Sequence, residues 1–253
     1  MERSSPVYQA YVKILERELV PAMGCTEPIA IAYCAAVARS VLGEIPDRIH
    51  VEASGNIIKN VKSVVVPNTG GRRGMETAAA IGVLGGDESA KLEVIAHVSQ
   101  EAKDRLERYL QETRITVGAA QTDHVLDIEV TVSKGDSRAV VRAVNEHTNL
   151  VYIEKDGQVL EERPIEKQED PDAPDYTLLN VADICEFART CDLSDVSPIL
   201  DRQIACNTAV AEEGLRGDYG ANVGSTLLKA YGTDIKIRAK ARAAAGSDAR
   251  MSG

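Results

Sequence analysis

The chain of 253 residues has few aromatic side chains and few cysteines. Trp is absent and Phe187 is the only Phe, so we expect a core of Ala, Val, Ile and Leu. The five cysteines are an odd number without a CxxC pair, which argues against a disulfide framework and against a self-contained zinc or iron–sulfur site. They indicate a reducing compartment, and we expect a cytoplasmic protein.

The sequence also lacks the features of nucleic-acid-binding, membrane and secreted proteins. The net charge is −10 and Lys and Arg form no block, so neither nucleic acid nor a membrane is an expected partner. No apolar run reaches transmembrane length, and Met1–Pro6 lacks the apolar core of a signal peptide. There is no GxSxG elbow, HExxH, Walker loop or GxGxxG after a strand, and the four histidines are scattered.

Hydrophobic periodicity predicts an α+β fold, with a mainly helical body and an inserted small lobe that contains an antiparallel sheet. The helical body consists of 1–88 and 177–253, the lobe covers 90–163, and a solvated linker covers 164–176. Strands are predicted at 48–53, 61–66, 92–98, 126–132 and 138–144, with a hairpin over 150–162. Helices are predicted at about 6–20, 26–42, 75–84 and 99–110, and in four segments after 177.

Cys25 lies directly before the predicted helix at 26–42, which is apolar on nearly every face. Thr26 is a suitable N-cap, Glu27 suits the first turn, and Pro28 fits the first helical positions. The positive end of a helix dipole favours a thiolate, so this position predicts a reactive cysteine. The alternative is that Cys25 is a small apolar core residue, as most free cysteines are.

Two more polar clusters interrupt the apolar framework, one in a predicted loop at 54–60 and one at 67–71 before the helix from Met75. Loop N–H groups and a helix N-terminus can bind a carboxylate or phosphate, and nearby amides can bind a substrate amine or carboxylate. The alternative is that these residues only form turns. The side chains and glycine of interest are Asn56, Lys59, Asn60, Asn68, Thr69 and Gly70.

Taken together, these blocks resemble the L-cysteine desulfidase family, relatives of the alpha part of iron–sulfur L-serine dehydratases. The resembling segments keep the same order from end to end, which makes the resemblance specific. They are Pro21–Pro28, Ser54–Asn60, Val66–Gly70, Gly217–Gly220 and Ser247–Met251.

The resemblance implies an oxygen-sensitive [4Fe-4S] lyase that works without pyridoxal phosphate. Such an enzyme converts L-cysteine to pyruvate, ammonia and sulfide, or L-serine to pyruvate and ammonia. The resemblance implies that Cys25 is the base that removes the α-proton. By the same match, the substrate-binding residues are Thr26, Glu27, Asn56, Lys59, Asn60, Asn68, Thr69, Gly70 and Arg250.

The chain departs from that family at its end. In the family the cluster cysteines follow the Ser-Asp-Ala-Arg-Met motif, whereas this sequence stops at Gly253 and none of its cysteines matches a ligand position. We therefore expect no metal ligands here, and an N-terminal portion that is inactive alone and needs a missing C-terminal segment or partner chain. We also expect uncovered apolar surface within 177–253 and self-association into a homo-oligomer. The remaining alternatives are an L-serine dehydratase, a non-catalytic module that binds an amino acid or a partner chain, and a proteolytic fragment.

Overall fold

A computed structural model describes residues 1–21, 24–165 and 172–252, and it confirms the α+β class. These residues form two compact units. Unit 1 comprises Met1–Pro21, Lys167–Asp218 and Asn222–Gly246, and unit 2 comprises Ala22–Glu166, Tyr219–Ala221 and Ser247–Gly253. No helix in the described part of the chain is long and apolar enough to cross a membrane.

Unit 2 contains a mixed six-stranded sheet in the order β2-β1-β3-β4-β5-β6. Neighbouring strands are antiparallel, except that β1 and β2 are parallel. A parallel pair needs a long crossover, and the helices between β1 and β2 provide it. The strands are β1 (Arg48–Ala53), β2 (Arg114–Ala119), β3 (Asp127–Lys134), β4 (Ser137–Val144), β5 (Leu150–Lys155) and β6 (Gln158–Glu162).

Four α-helices accompany the sheet: α2 (Thr26–Leu42), α3 (Gly55–Val61), α4 (Met75–Gly85) and α5 (Gln100–Glu112). Helix α2 packs on β3, β4 and β5 on one side and on α4 on the other. A helix that is apolar all round needs such burial on every side. Its residues from Ile29 to Ile31 are fully buried, and Gly43, in a left-handed conformation, ends the helix.

Unit 1 is helical, with α1 (Pro6–Glu18), α6 (Val181–Thr190), α7 (Leu193–Arg216), α8 (Val223–Tyr231) and the part of α9 (Ile235–Ser252) that reaches Gly246. Its aromatic core joins Tyr8 and Tyr11 to Phe187, with ring centroids 5.1 and 5.4 Å apart in edge-to-face arrangements. Several large apolar side chains between 177 and 253 are exposed, among them Val181, Leu193, Ile204, Tyr231 and Ile235.

Some predicted elements differ from the structure. The apolar run at 61–66 forms only an isolated bridge between Val65 and Arg73, and the run at 92–98 follows a 3-10 helix (Glu88–Glu93) without forming a strand. Both runs contain buried residues, and burial without alternation does not distinguish strands from other segments. The predicted loop at 54–60 contains α3, and β2 was not predicted because it lies at the sheet edge with mostly exposed residues.

The division into units also differs from the predicted one. Residues 24–88 lie with the sheet, because α2 and α4 pack on it, and so the sheet unit is larger than the predicted lobe at 90–163. The sheet contains the parallel β1–β2 pair, so it is not purely antiparallel. Of the predicted linker at 164–176, residues 166–171 lie outside the described residues.

The close packing of α2 on α4 depends on Gly82. A Cβ added at this position would lie 2.3 Å from the carbonyl oxygen of Ala32. Because that atom belongs to the backbone of α2, relief requires the two helices to move apart. Glycine is therefore required for the contact and not for helix formation, where alanine is better by about 1 kcal/mol.

We predict that Gly82→Ala lowers the free energy of unfolding by about 1–3 kcal/mol, the usual cost of overpacking a core. The matched control is Gly55→Ala in α3, where an added Cβ would meet no atom within 4 Å. Urea unfolding followed by circular dichroism measures both variants. Equal stability of the two variants would show that the α2–α4 contact is not as close as described.

Candidate functional site

The candidate site lies in unit 2, where the chain turns into α2. Gly24 adopts a φ of +94°, and Cys25 occupies the N-cap position in an extended conformation. A Cβ at Gly24 would lie 2.8 Å from the carbonyl oxygen of Arg250, so the turn and the end of α9 approach each other through their backbones. Arg250, a predicted substrate-binding residue, approaches the turn with its main chain, whereas its side chain is exposed.

The thiol of Cys25 is hydrogen-bonded to a carboxylate. Cys25 Sγ donates to Glu27 Oε2 over 2.8 Å, and Thr26 Oγ1 reaches the same oxygen at 3.4 Å. Asn60 Nδ2 donates to the other oxygen, Glu27 Oε1, over 2.9 Å. All four side chains are partly accessible. The structure therefore brings together four of the predicted site residues around one carboxylate.

The thiol and the carboxylate have opposite pKa shifts. Burial, followed by the hydrogen bond to Glu27 and its negative charge, raises the pKa of Cys25 to about 11, although the Glu27 backbone N–H acts in the opposite direction. Burial alone would raise the pKa of Glu27, but the hydrogen bonds from Cys25 and Asn60 outweigh it and lower that pKa. At neutral pH the pair is therefore a neutral thiol that donates to an ionised carboxylate.

This protonation state corrects the expectation of a resting thiolate. The helix N-terminus does favour the charged form, as expected, but its effect is smaller than those of burial and of Glu27. Cys25 is not the sealed core residue of the alternative interpretation, because it is partly exposed. Cys34, in the middle of α2, is fully buried, and burial raises the pKa of its thiol to about 12.

Helix α3 supplies the second side of the site. Ser54 anchors its start, because the buried Ser54 Oγ donates to the Val125 carbonyl oxygen over 2.7 Å. Asn56 and Lys59 precede Asn60 by four residues and one residue, and positions i, i+3 and i+4 share one face of a helix. Asn56 and Lys59 are exposed, so this face presents an amide and an ammonium group beside the Cys25–Glu27 pair.

Asn68 holds a loop and does not join the Cys25 cluster. Its backbone is left-handed with a φ of +61°. Its Nδ2 donates to the carbonyl oxygens of Ile95 at 2.8 Å and Ala96 at 3.3 Å, and its Oδ1 accepts from Lys103 Nζ at 3.1 Å. These bonds match the alternative in which the segment serves as a turn.

Thr69 and Gly70 belong to the same turn. The buried Thr69 Oγ1 donates to the Val66 carbonyl oxygen over 2.7 Å and lies 3.3 Å from that of Arg72. Gly70 adopts a φ of +70°, which a side chain would disfavour. The contacts of Thr69 are within its own loop, and none of these hydrogen bonds of Asn68 and Thr69 involves Cys25 or Glu27.

His147 is a neighbour of Glu27 that the sequence did not indicate. It lies between β4 and β5 and is half-buried. Burial lowers its pKa, while the negative charge of Glu27 acts to raise it, and a charged His147 in turn lowers the pKa of Glu27. No local pattern connects these residues, because the strand pairing that brings them together is long-range.

The described residues do not fit a [4Fe-4S] cluster, which needs several cysteine thiolates at one place. Among them no group of three or more His, Cys, Asp or Glu side chains could hold a metal ion. The five cysteines are free, and in unit 2 the second thiol, Cys34, is fully buried. The cluster implied by the resemblance remains a prediction, and we derive no chemical step from it.

Known proteins similar to this chain carry the name UPF0597 protein. One from Desulfitobacterium hafniense is 52% identical over 100% of this chain, and one from Lachnoclostridium phytofermentans is 52% identical over 98% of it. One from Treponema denticola is 44% identical over 97% of the chain. The chain spans 58–59% of the length of these relatives. No model of a known protein family and no solved structure matches the chain.

These relatives correct the family resemblance. They match nearly the whole chain at high identity and are named UPF0597 proteins, not L-cysteine desulfidases. Assignment to the L-cysteine desulfidase family is therefore wrong, and so is the interpretation of the chain as the N-terminal portion of such an enzyme. The short blocks that suggested it include turns such as 67–70, whose glycine, asparagine and threonine have the structural roles described above.

We predict that Glu27→Gln lowers the pKa of Cys25, because it removes the negative charge and the carboxylate acceptor that help to raise it. The pH dependence of iodoacetamide labelling, measured on the Cys25 peptide by mass spectrometry, should have its midpoint near pH 11 in the wild type and lower in the variant. Buried Cys34 and exposed Cys206 are internal controls for unfolding and for reagent reactivity. An unchanged midpoint would mean that Glu27 does not interact with the thiol.

Proposed function

We propose that unit 2 contains the proton-transfer site of a lyase that acts on a small amino acid, with β-elimination from L-cysteine or L-serine as the reaction. The supporting observation is the 2.8 Å hydrogen bond between the partly exposed Cys25 thiol and the Glu27 carboxylate. A nucleophile or base within hydrogen-bond reach of a proton acceptor is a recurring arrangement in enzymes.

The charges around the thiol match those of an amino acid. The ionised Glu27 carboxylate is suited to the substrate ammonium group, since a carboxylate has more acceptor positions than its present partners occupy. Lys59 and Asn56, on the exposed face of α3, are suited to the substrate carboxylate. We propose that a substrate held by these groups has its α-carbon next to Cys25.

Cys25 and Glu27 carry out the two proton transfers of the proposed reaction. In one concerted step, Cys25 removes the proton from the α-carbon while its own thiol proton passes along the hydrogen bond to Glu27 and on toward the leaving group. The electron pair of that C–H bond forms the Cα=Cβ bond while the bond from Cβ to sulfur or oxygen breaks, and the leaving group takes the proton held by Glu27. The product, 2-aminoacrylate, tautomerises to an imine that water hydrolyses to pyruvate and ammonia.

The raised pKa of Cys25 suits this role more than a role as a resting nucleophile. A thiol with a pKa of about 11 is rarely ionised at neutral pH, but its thiolate is a stronger base than that of an ordinary cysteine. We further propose a cytoplasmic location, which suits five free cysteines, and self-association through the exposed apolar side chains of unit 1.

We predict that this chain forms pyruvate from L-cysteine or L-serine under anaerobic conditions. Coupling to lactate dehydrogenase and NADH measures the pyruvate. Replacing Cys25 by Ala should lower kcat about 100-fold or more, the usual contribution of a general base, while KM changes little. The matched control is Cys206→Ala, which removes an exposed thiol of α7 in unit 1 and should leave kcat unchanged. The relative from Desulfitobacterium hafniense, which is longer, provides a parallel assay of a complete protein.

Full activity of the Cys25→Ala variant would eliminate Cys25 as the base. Binding of either amino acid by calorimetry without any pyruvate, in this chain and in the longer relative, would instead support the alternative of a non-catalytic amino-acid-binding module. Comparing L-cysteine with L-serine distinguishes a desulfidase from a serine dehydratase.

A further inference from the structure

Two arginines lie side by side on the sheet face opposite the core. Arg48 begins β1 and Arg114 begins β2, and the parallel register pairs them directly. Their neighbours Ile49 and Ile115 point the other way, toward the core shared with α2. Like charges paired directly across strands are destabilising, so this pair needs compensation from another group.

The protein itself provides little compensation. Arg48 Nε lies 3.5 Å from Asp47 Oδ1, but both side chains are about half exposed, at 52%, and such pairs stabilise weakly. Arg48 Nη2 also donates to the Gly135 carbonyl oxygen. Arg114 makes no ion pair within the described part of the chain. Glu52, on the same strand, lies 3.3 Å from His50 Nε2.

Hydrogen-bond donors surround the two guanidinium groups. Arg48 is paired with Ser133 on its other side, and in the next row His50 is paired with Thr116 and Thr131. His50 Nδ1 lies 2.8 Å from Thr116 Oγ1, which fixes the imidazole beside the hydroxyl groups. These residues, together with Ile49, line a cavity of about 190 Å³, the Arg48–Arg114 pocket, whose polar lining consists of Arg48, His50, Arg114, Thr116, Thr131 and Ser133.

We propose that the Arg48–Arg114 pocket binds an oxyanion of the phosphate class, either free or as the terminal group of a small phosphorylated metabolite. Two arginine side chains that line one pocket can both donate to phosphate oxygens, and the neighbouring hydroxyl groups complete the coordination. The pocket is open to solvent on one side, so a phosphate that carries a small organic group can extend out of it. A cationic pocket is a local exception in a chain of net charge −10, which as a whole repels anions.

This pocket is separate from the proposed catalytic site. Helix α2, whose first turn carries Cys25 and Glu27, packs on the opposite face of the sheet. The proposal therefore does not depend on the proposed function, and each can fail without the other.

Isothermal titration calorimetry with inorganic phosphate and with glycerol 3-phosphate, at constant ionic strength set with chloride, tests the proposal. We expect saturable binding of at least one ligand, and a loss of at least tenfold in affinity when Arg48 and Arg114 are both replaced by Gln. The control is Arg105→Gln with Arg108→Gln on α5, which makes the same change in net charge at exposed positions and should not alter binding. Tighter binding of glycerol 3-phosphate would identify a phosphorylated metabolite, and equal or weaker binding would identify the free ion.

The single variants Arg48→Gln and Arg114→Gln add a measurement that does not need a ligand. Without phosphate, either change should leave Tm unchanged or raise it, because it relieves repulsion between the two cations, whereas with phosphate it should reduce the ligand-induced rise in Tm. No binding of either ligand at 10 mM, or equal affinity of the double variant and the wild type, would overturn the proposal. So would an equal loss of affinity in the control variant.

Discussion

The burial of most of α2 between the sheet and α4 is the constraint on which the rest of the described site depends. Its apolar residues fix the axis of the helix, and Gly82 lets α4 approach to backbone contact. With the helix fixed, its first turn cannot shift, and Cys25 and Glu27 are held at its exposed end. An apolar helix thus positions a polar pair. The packing of its apolar residues offsets the cost of partly burying the Cys25 thiol and the Glu27 carboxylate.

Electrostatics at the end of α2 follow from competition among three effects. The helix N-terminus favours the thiolate, whereas burial and the neighbouring carboxylate favour the neutral thiol. Burial and the carboxylate have the larger effect, so the pKa of Cys25 is raised. The result is a pair in which the proton resides on sulfur and the charge on Glu27. On the other face of the same sheet the situation is reversed, because Arg48 and Arg114 concentrate positive charge with little internal compensation. One sheet thus separates an anionic site from a cationic pocket.

Local features of the sequence predicted much of this architecture. The extent of α2 followed from a Pro in the first turn and Gly43 at the end, although Cys25 and not the predicted Thr26 is its N-cap. Strands β3 to β6 followed from alternation and turn residues. Edge strand β2 and helix α3 did not, because the first is mostly exposed and the second begins with residues typical of turns. Segment 92–98 shows the opposite error, since its buried Val94 and Ile95 suggested a strand that the structure lacks.

The candidate site was predictable only in part, because some of its features depend on side-chain conformation and on strand pairing between distant segments. Its position at Cys25 and the participation of Glu27 and Asn60 were indicated by sequence, but the hydrogen bond that reverses the ionisation of the thiol depends on a side-chain conformation. His147 and the Arg48–Arg114 pair depend on strand register across distant segments. Asn68 and Thr69 resembled binding residues because turns and binding loops use the same residue types.

The most direct test of the account is an NMR titration of the chain labelled with ¹³C at the cysteine β-carbon, with the Cys25 signal assigned by Cys25→Ser. We expect Cys25 to remain a thiol through neutral pH and to ionise near pH 11. Ionisation of Cys25 at or below neutral pH would contradict the thiol–carboxylate pair and the proton transfer derived from it.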